Sequence, residues 1–410
     1  MHKLPINSRG TARRAPTCRH SGLPFLILLL VLHSSCTTTP ELGEGTLSGD
    51  VPTVRVAVAR KVDGITLAVN SAVRIVDDAT GEALFRLGAS ESHRIVPIAG
   101  GFKVGDAIVP AARVRVEPDK SGTVVIDGIA YRGRMRLISS QIGNRGFALT
   151  AVNIVNLEEY LCGVVGSEMP TRWPLDSLRA QAIAARTYAV YQLKTRPRAG
   201  DYDLTNGQEC QVYTGLKKEN DRVRRVVVET RGLILTHDWK VFQSYFHSTC
   251  GGGTVKAKDV FGDPDIRPLS GAKCTYCESS PAYSWSVTFK KDEIRKKLLE
   301  RNIKVGPIEK IMALNSDHTG RAISLTIFTP PGPISIDAYR FRLAVGSMKI
   351  KGTRMTITDA GDSVTFTGKG FGHYLGMCQF GALGMAQANY NAAQILSHYY
   401  PGSELTRLYE

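Results

Sequence analysis

The feature that most restricts the fold is a series of short segments between residues 51 and 130 in which apolar and polar residues alternate. Val54-Arg55-Val56-Ala57-Val58 and Arg113-Val114-Arg115-Val116 are two of these segments. Turn-forming pairs such as Asp77-Asp78 and Asp127-Gly128 separate them. A period of two between turns is typical of β-strands that bury one face. Residues 51–130 are therefore predicted to form a β-rich accessory region.

A long helix is predicted for residues 175–194. This stretch has alanine at positions 180, 182, 184, 185 and 189, and Pro174 stands at its start, where proline is tolerated. Strands are predicted at 226–235, 241–246, 285–289, 322–328 and 364–366, and two C-terminal helices at 382–388 and 392–398. Strands and helices mix without regular alternation. We therefore predict an α+β fold, in which a mixed sheet-and-helix domain spans residues 131–410.

The first 36 residues are typical of an export signal. Five basic and no acidic residues lie in positions 1–35, and the apolar run at 23–32 is too short to span a membrane comfortably. His33-Ser34-Ser35-Cys36 resembles a bacterial lipobox, so lipidation at Cys36 is predicted, with ordinary signal cleavage or an uncleaved anchor as alternatives. Residues 37–50 are predicted to form a flexible tether. The protein is expected to be exported to the cell envelope, in the periplasm or at the cell surface, and anchored to the membrane by lipid.

The net charge narrows the class of partner. Five of the 52 basic residues lie in positions 1–35, which leaves 47 against 37 acidic residues in the rest of the chain. In an exported protein, this excess favours cell-wall polymers or membrane surfaces over nucleic acid. A solvated basic surface without a specific partner is the alternative.

Two segments carry candidate functional residues. Glu168 stands between an apolar, strand-like segment and a turn broken by Pro170, and Arg179 and Arg186 lie two turns apart on one face of the predicted helix. The arginines could neutralise a carboxylate or bind an acidic substrate group, and a structural role is the alternative. Residues 368–387 contain six glycines, with His373 as a candidate acid/base or sugar-binding group and Gln379 as a hydrogen-bonding group.

A third cluster has the ligand types and spacing of a closed zinc site. His247 and Cys250 form one half, and Cys274 and Cys277 form the other. Four ligands leave no open position, so a zinc ion would brace the loop and would not be needed for catalysis. A disulfide, as expected in an oxidising compartment, and a redox dithiol are the alternatives. Three further cysteines have no evident partner: Cys162, Cys210 and Cys378.

Several blocks, in the same order along residues 130–410, resemble the family of stage II sporulation protein D, which contains cell-wall glycan lytic enzymes and amidase enhancers. The blocks are Leu157–Pro170, Leu178–Ala189, His247–Gly252, Gly368–Ala386 and Ile395–Gly402. The resemblance implies a lytic transglycosylase with a substrate groove. Such an enzyme cleaves the bond between N-acetylmuramic acid and N-acetylglucosamine in peptide-stripped strands and leaves anhydro-muramic acid ends. The alternative is a non-catalytic peptidoglycan-binding protein that stimulates a cell-wall amidase.

The resemblance also implies roles for individual residues. Glu168 stands at the family's catalytic glutamate position, and Arg179, Arg186 and His373 stand where the family carries a basic residue, an arginine and a histidine. These three would hold the lactyl carboxylate and the sugar hydroxyls, with Gln379 as a further substrate-binding group.

A single acid suffices for a lytic reaction. Hydrolytic glycosidases usually need two carboxylates, whereas the nucleophile here would be the primary hydroxyl of the muramic acid itself. We expect a partly apolar site between Val165 and Trp173 to keep Glu168 protonated, so that it can donate a proton to the leaving oxygen.

Overall fold

The computed structural model describes residues 50–119, 122–144, 146–197 and 199–410. The predicted export signal, Cys36 and all but the last residue of the predicted tether lie outside these residues. The strands of the first half are β1 (Thr53–Val62), β2 (Ile65–Val69), β3 (Val73–Asp77), β4 (Ala83–Leu87), β5 (Ser92–Ile98), β6 (Gly101–Val104), β7 (Ala107–Val109), β8 (Arg113–Pro118), β9 (Val124–Ile126), β10 (Ile129–Tyr131), β11 (Arg134–Gln141), β12 (Phe147–Asn156) and β13 (Leu204–Thr205).

The second half mixes helices with shorter strands, and the fold is α+β, as predicted. The strands are β14 (Leu233–His237), β15 (Lys240–Val241), β16 (Phe246–His247), β17 (Ser284–Lys290), β18 (Lys310–Ser316), β19 (Ala322–Phe328), β20 (Ile334–Asp337), β21 (Met355–Ala360), β22 (Ser363–Lys369), β23 (Met377–Cys378) and β24 (Glu404–Arg407). The helices are α1 (Leu157–Glu168), α2 (Leu175–Thr195), α3 (Asp221–Glu229), α4 (Lys258–Phe261), α5 (Lys291–Glu300), α6 (Ala338–Val345), α7 (Gln379–Gln387) and α8 (Ala392–Tyr399).

Two sheets share one core in the N-terminal half. The first has the strand order β13-β1-β12-β11-β8-β3-β4 and the second β10-β9-β2-β5-β6-β7. Val54 and Val56 of the first sheet and Ile65 and Leu67 of the second are fully buried in the same hydrophobic cluster. Alternate side chains of each strand point to one face, which explains the period of two in the sequence.

The first sheet crosses the domain boundary that the sequence analysis places at residue 130. Strand β1 pairs with β12 in antiparallel register, with Val54 opposite Val155, and β8 pairs with β11. The strands before and after residue 130 are therefore hydrogen-bonded parts of one sheet. Local alternation identifies strands, but it gives no sign of which distant strand each one pairs with.

Helix α2 lies at the centre of the second half. It packs against α1, α3, α7, α8 and β14. Ala180, Ala184 and Ala185 are fully buried, because their small side chains allow neighbouring elements to approach the helix on several sides. The predicted helix at 175–194 is confirmed to within one residue at its end.

The strand predicted at 226–235 is wrong in its first part. Residues 221–229 form α3, and only Leu233–His237 form a strand. The Asn220 side chain caps this helix by accepting a hydrogen bond from the Val223 amide. Val223, Val226 and Val227 face the core, while the arginines lie on the opposite side. The cap and this amphipathic pattern outweigh the strand preference of valine.

A second hydrophobic core lies within residues 285–366. The sheets β17-β22-β21 and β18-β19-β20 enclose it with α5 and α6. The strands predicted at 285–289, 322–328 and 364–366 are confirmed. The Trp285 indole donates a hydrogen bond of 2.9 Å to the Gly370 carbonyl, which links this unit to the glycine-rich loop. Among the described residues, no helix is long and apolar enough to cross a membrane.

Candidate functional site

Glu168 is the last residue of α1, so the segment before it is a helix and not strand-like. The Asn156 side chain accepts a hydrogen bond from the Glu158 amide at the start of α1, and Glu158 and Glu159 lie in the first turn. Residues on every side of α1 are buried, including Val164 and Val165. A helix that is apolar all round lacks the 3.6-residue period, and a short apolar run of this kind is easily mistaken for a strand.

Two amide donors hold the Glu168 carboxylate. The Val212 backbone amide donates to Oε1 at 2.7 Å, and the Gln379 side chain donates to Oε2 at 3.3 Å. Desolvation nevertheless raises the pKa of Glu168 to about 7, while the two hydrogen bonds act in the opposite direction. No arginine or lysine of the described residues forms an ion pair with this carboxylate. A substantial fraction of Glu168 is therefore protonated at neutral pH.

The raised pKa makes the stability of the fold depend on pH. The folded state binds the proton more tightly than the unfolded state, whose pKa is near 4.5. The resulting stabilisation is complete below pH 4.5 and is lost as pH rises through about 7. Glu168→Gln stays neutral throughout. Between pH 5 and pH 8, the free energy of unfolding of the wild type should fall relative to that of this variant by about 2 kcal/mol, allowing for partial exposure.

Urea denaturation at several pH values measures this difference. Glu159→Gln is the matched control, because Glu159 is an exposed glutamate of the same helix. The difference between this control and the wild type should stay nearly constant with pH. A constant difference for Glu168→Gln as well would contradict the raised pKa.

Gln379 connects Glu168 to the central helix. It is the first residue of α7 and is 7% exposed. The same side-chain nitrogen that donates to Glu168 lies 3.4 Å from Oε1 of Gln181 on α2. The structure thus brings Glu168 and Gln379 together, and Gln379 contacts the predicted acid directly.

Arg186 lies away from this pair, in a buried ion pair of its own. Its side chain is fully buried and donates two hydrogen bonds of 2.8 Å to the Glu158 carboxylate, from Nε and Nη2. Nη1 donates to the Leu233 carbonyl at 3.1 Å, and the Tyr409 hydroxyl also bonds to Glu158. The guanidinium is enclosed by the chain and its donors are occupied by internal partners. These contacts indicate a structural role for Arg186.

Arg179 is likewise engaged with acidic residues of the chain. Its Nε donates to Glu229 at 2.8 Å, and its Nη1 donates to Asp176 at 3.1 Å. The two arginines do neutralise carboxylates, as one reading of the sequence allows, but these are Glu158, Glu229 and Asp176. The role of Arg179 in binding substrate stays a prediction.

His373 lies in the same glycine-rich loop as Gln379 but in a separate cluster of rings. Its Nδ1 accepts a hydrogen bond of 3.0 Å from the Leu375 amide. Its ring centre lies 5.4 Å from that of His247 and 5.7 Å from that of Tyr245. Burial lowers the pKa of His373 well below its usual value, so the imidazole is neutral. No hydrogen bond joins His373 to Glu168 within the described chain.

The four cysteines that come together are not the predicted ligand set. The sulfur atoms of Cys250, Cys274, Cys277 and Cys378 all lie within 4.8 Å of one another, and all four side chains are buried. We call them the cysteine cluster. His247 is outside it, because neither of its ring nitrogens belongs to the group of ligand atoms that lie together. Its Nδ1 is hydrogen-bonded to the Leu375 carbonyl at 3.0 Å. Cys378, which had no evident partner in the sequence, takes the fourth place.

A short parallel ladder explains how Cys378 reaches the cluster. Strands β16 and β23 pair with Phe246 opposite Met377 and His247 opposite Cys378. The turn after His247 then brings Cys250 alongside, and the Cys250 amide donates to the Cys378 sulfur at 3.2 Å. Cys378 follows Cys277 by about a hundred residues, and no local spacing marks it as a ligand.

Comparison with known proteins identifies the family. A family model described as Stage II sporulation protein matches residues 146–237. Stage II sporulation protein D of Bacillus amyloliquefaciens is 31% identical over 271 residues, which cover 62% of this chain and 76% of that protein. The chain belongs to the stage II sporulation protein D family. The Bacillus subtilis member is 29% identical over 313 residues, which cover 72% of this chain and 87% of that protein.

Two further relatives extend the comparison beyond proteins that carry the family's name. An uncharacterized protein of Brachyspira hyodysenteriae is 31% identical over 316 residues, which cover 77% of this chain and 82% of that protein. The amidase enhancer of Bacillus subtilis is 25% identical over 294 residues, which cover 60% of this chain and 40% of that protein.

The segment matched by the stage II sporulation protein model contains only part of the site. It includes Glu168 and Val212, but Gln379 and His373 lie far beyond it. Two residues at the site, Val212 and Gln181, were not predicted from the sequence. Val212 contributes a backbone amide, for which a sequence contains no signal. Gln181 could have been noticed as a polar residue among the buried alanines of α2.

Proposed function

We propose that this protein is a lytic transglycosylase that cleaves the bond between N-acetylmuramic acid and N-acetylglucosamine in peptide-stripped glycan strands. The observation that carries the proposal is the environment of Glu168, whose pKa is raised to about 7 by burial. A general acid works best when its pKa lies near the working pH, because both protonation states are then accessible. Membership of the stage II sporulation protein D family supports a role in the cell wall.

In the proposed reaction, Glu168 acts first as an acid and then as a base. The protonated carboxyl donates its proton to the glycosidic oxygen as the bond to the muramic acid carbon breaks. The carboxylate then accepts the proton of the muramic acid primary hydroxyl, whose oxygen closes the anhydro ring. The hydrogen bonds from Val212 and Gln379 would stabilise the intermediate carboxylate and orient it. Both groups that hold Glu168 are amides, which do not titrate, so Glu168 is the group that transfers the proton in this mechanism.

The other predicted site residues have different roles in this proposal. We assign Gln379 the role of positioning Glu168, on the evidence of their direct contact. His373 stays a candidate for binding sugar hydroxyls, since it lies in the same loop and is neutral. We do not assign substrate contacts to Arg179 or Arg186, because both already pair with acidic residues.

A second candidate function rests on the amidase enhancer relative. At 25% identity, this likeness is compatible with a non-catalytic protein that binds peptidoglycan and stimulates a cell-wall amidase. Such a protein would need a glycan-binding surface but no acid with a raised pKa. We therefore prefer the enzyme.

Incubation of the purified protein with peptide-stripped glycan strands separates the two functions. Mass spectrometry should find new anhydro-muramic acid ends. The masses of the two products should add up to the mass of the original strand, because no water is added. Intact strands, together with faster release of stem peptides when a cell-wall amidase is added, would instead support the enhancer.

We further propose that the protein works in the cell envelope after export. The support is the basic and apolar start of the chain and the lipobox-like cysteine, Cys36. Lipid attachment there would hold the protein at a membrane surface close to the glycan strands. Labelling with a fatty-acid analogue in the wild type and in Cys36→Ala tests this anchor.

A further inference from the structure

We propose that the cysteine cluster binds one zinc ion through four thiolates, with Cys378 as the fourth ligand in place of the predicted His247. The ligand sulfurs all lie within 4.8 Å of one another. In a tetrahedral site with Zn–S bonds of about 2.3 Å, the sulfurs are about 3.8 Å apart. A small contraction of the cluster therefore gives the required geometry.

Hydrogen-bond donors lie close to two of the four sulfur atoms of the cluster. The backbone amides of Cys250 and Gly381 each donate to the Cys378 sulfur at 3.2 Å. Cys378 also caps the N-terminus of α7, where the helix dipole favours negative charge. The Tyr399 hydroxyl lies 3.1 Å from the Cys274 sulfur. Outer hydrogen bonds of this kind hold metal ligands in place and offset the negative charge of the sulfurs.

His247 does not reach the cluster, although it is close in sequence to Cys250. Its Nδ1 is hydrogen-bonded to the Leu375 carbonyl, and its Nε2 is buried without a partner among the described residues. Its ring packs against those of His373 and Tyr374, at centroid distances of 5.4 and 6.1 Å. The ligand atoms that come together are four sulfurs, and neither ring nitrogen of His247 is among them.

The charge balance of the site follows from its ligands. Four cysteine thiols release four protons to solvent as the zinc ion binds, and the complex carries two net negative charges. No electron is transferred. The coordination is closed, so the ion has a structural role. It would tie the turn at Cys250, the knuckle at Cys274 and Cys277, and the start of α7 to one another, which fixes the residue next to Cys378, Gln379.

The first test uses the unaltered chain, purified without chelators. Elemental analysis should find about one zinc per chain. Replacement of zinc by cobalt should give the absorption bands of a tetrahedral site with four sulfur ligands. A spectrum of three sulfurs and one nitrogen would overturn the proposal, as would a protein without metal in which two of the four sulfurs are joined in a disulfide.

Variants then identify the fourth ligand. Cys378→Ser should reduce the zinc content at least tenfold, whereas His247→Asn should keep it. Cys162→Ser is the matched control, because Cys162 is a buried cysteine outside the cluster. Loss of zinc from His247→Asn and its retention in Cys378→Ser would overturn the proposal. If Cys378→Ser does not fold, the cobalt spectrum of the unaltered chain decides. The readout is metal content, so a negative result here leaves the proposed glycan cleavage untouched.

Discussion

Glu168→Gln is expected to lower the rate of anhydro-muramic acid formation from peptide-stripped glycan strands by a factor of about 10²–10⁴. Glutamine has nearly the same shape and its carbonyl can still accept the hydrogen bond from the Val212 amide. It can neither donate the proton to the leaving oxygen nor take one from the attacking hydroxyl. The fold should be retained, since the replacement removes a group that burial disfavours when it is charged. Binding of the glycan strands, measured by co-sedimentation, should change little.

The controls for this experiment separate chemistry from folding. Glu159→Gln makes the same substitution at an exposed position of α1 and should retain wild-type activity. The rate for the wild type should also fall as pH rises through about 7, because the protonated form of Glu168 is lost. Turnover by Glu168→Gln at the wild-type rate would refute the assignment of the acid.

Arg186→Met is expected to lower the free energy of unfolding by about 3–5 kcal/mol. Methionine is apolar and fills much of the space of the arginine, but it leaves the buried Glu158 carboxylate without its cationic partner. Arg179→Met on the same helix removes a partly exposed guanidinium that pairs with Glu229 and Asp176. Its cost should be about 0–1 kcal/mol. Urea denaturation measures both.

A double variant separates the cost of leaving the Glu158 charge unpaired from the contribution of the ion pair itself. Glu158→Gln combined with Arg186→Met removes both charges and should recover part of the lost stability. Equal small losses for Arg179→Met and Arg186→Met, with a fall in glycan binding for the latter, would contradict the structural place of Arg186. Such results would instead support the substrate-binding role predicted for Arg186 from the family resemblance.

The parts of the fold that local pattern determines could be predicted from the sequence. Helix α2 was predicted to within one residue, because a proline start and repeated alanines are strong local signals. Helix α1 was not predicted, since most of its residues are buried and it shows no clear 3.6-residue period. The valines of α3 favour a strand by local preference, whereas the cap at Asn220 and the charged face favour the helix that forms.

The candidate site could be predicted only in part, because local motifs do not show which distant segments come together in the fold. Glu168, Gln379 and three members of the cysteine cluster were identified from motifs, either by family resemblance or by a two-residue spacing. Cys378 could not be identified as a fourth member, because its nearness to Cys250 depends on the parallel pairing of β16 with β23. A pairing between distant strands leaves no trace in the spacing of either one.

The contact between Glu168 and Gln379 joins residues 211 positions apart. The unit with its own hydrophobic core at residues 285–366 lies between them. Because synthesis starts at the N-terminus, the ribosome adds Glu168 long before it adds Gln379. The site can be completed only when almost the whole polypeptide is present. A chain cut short before α7 would keep the acid helix but lack half of its support, so the late timing of assembly is built into the order of the segments.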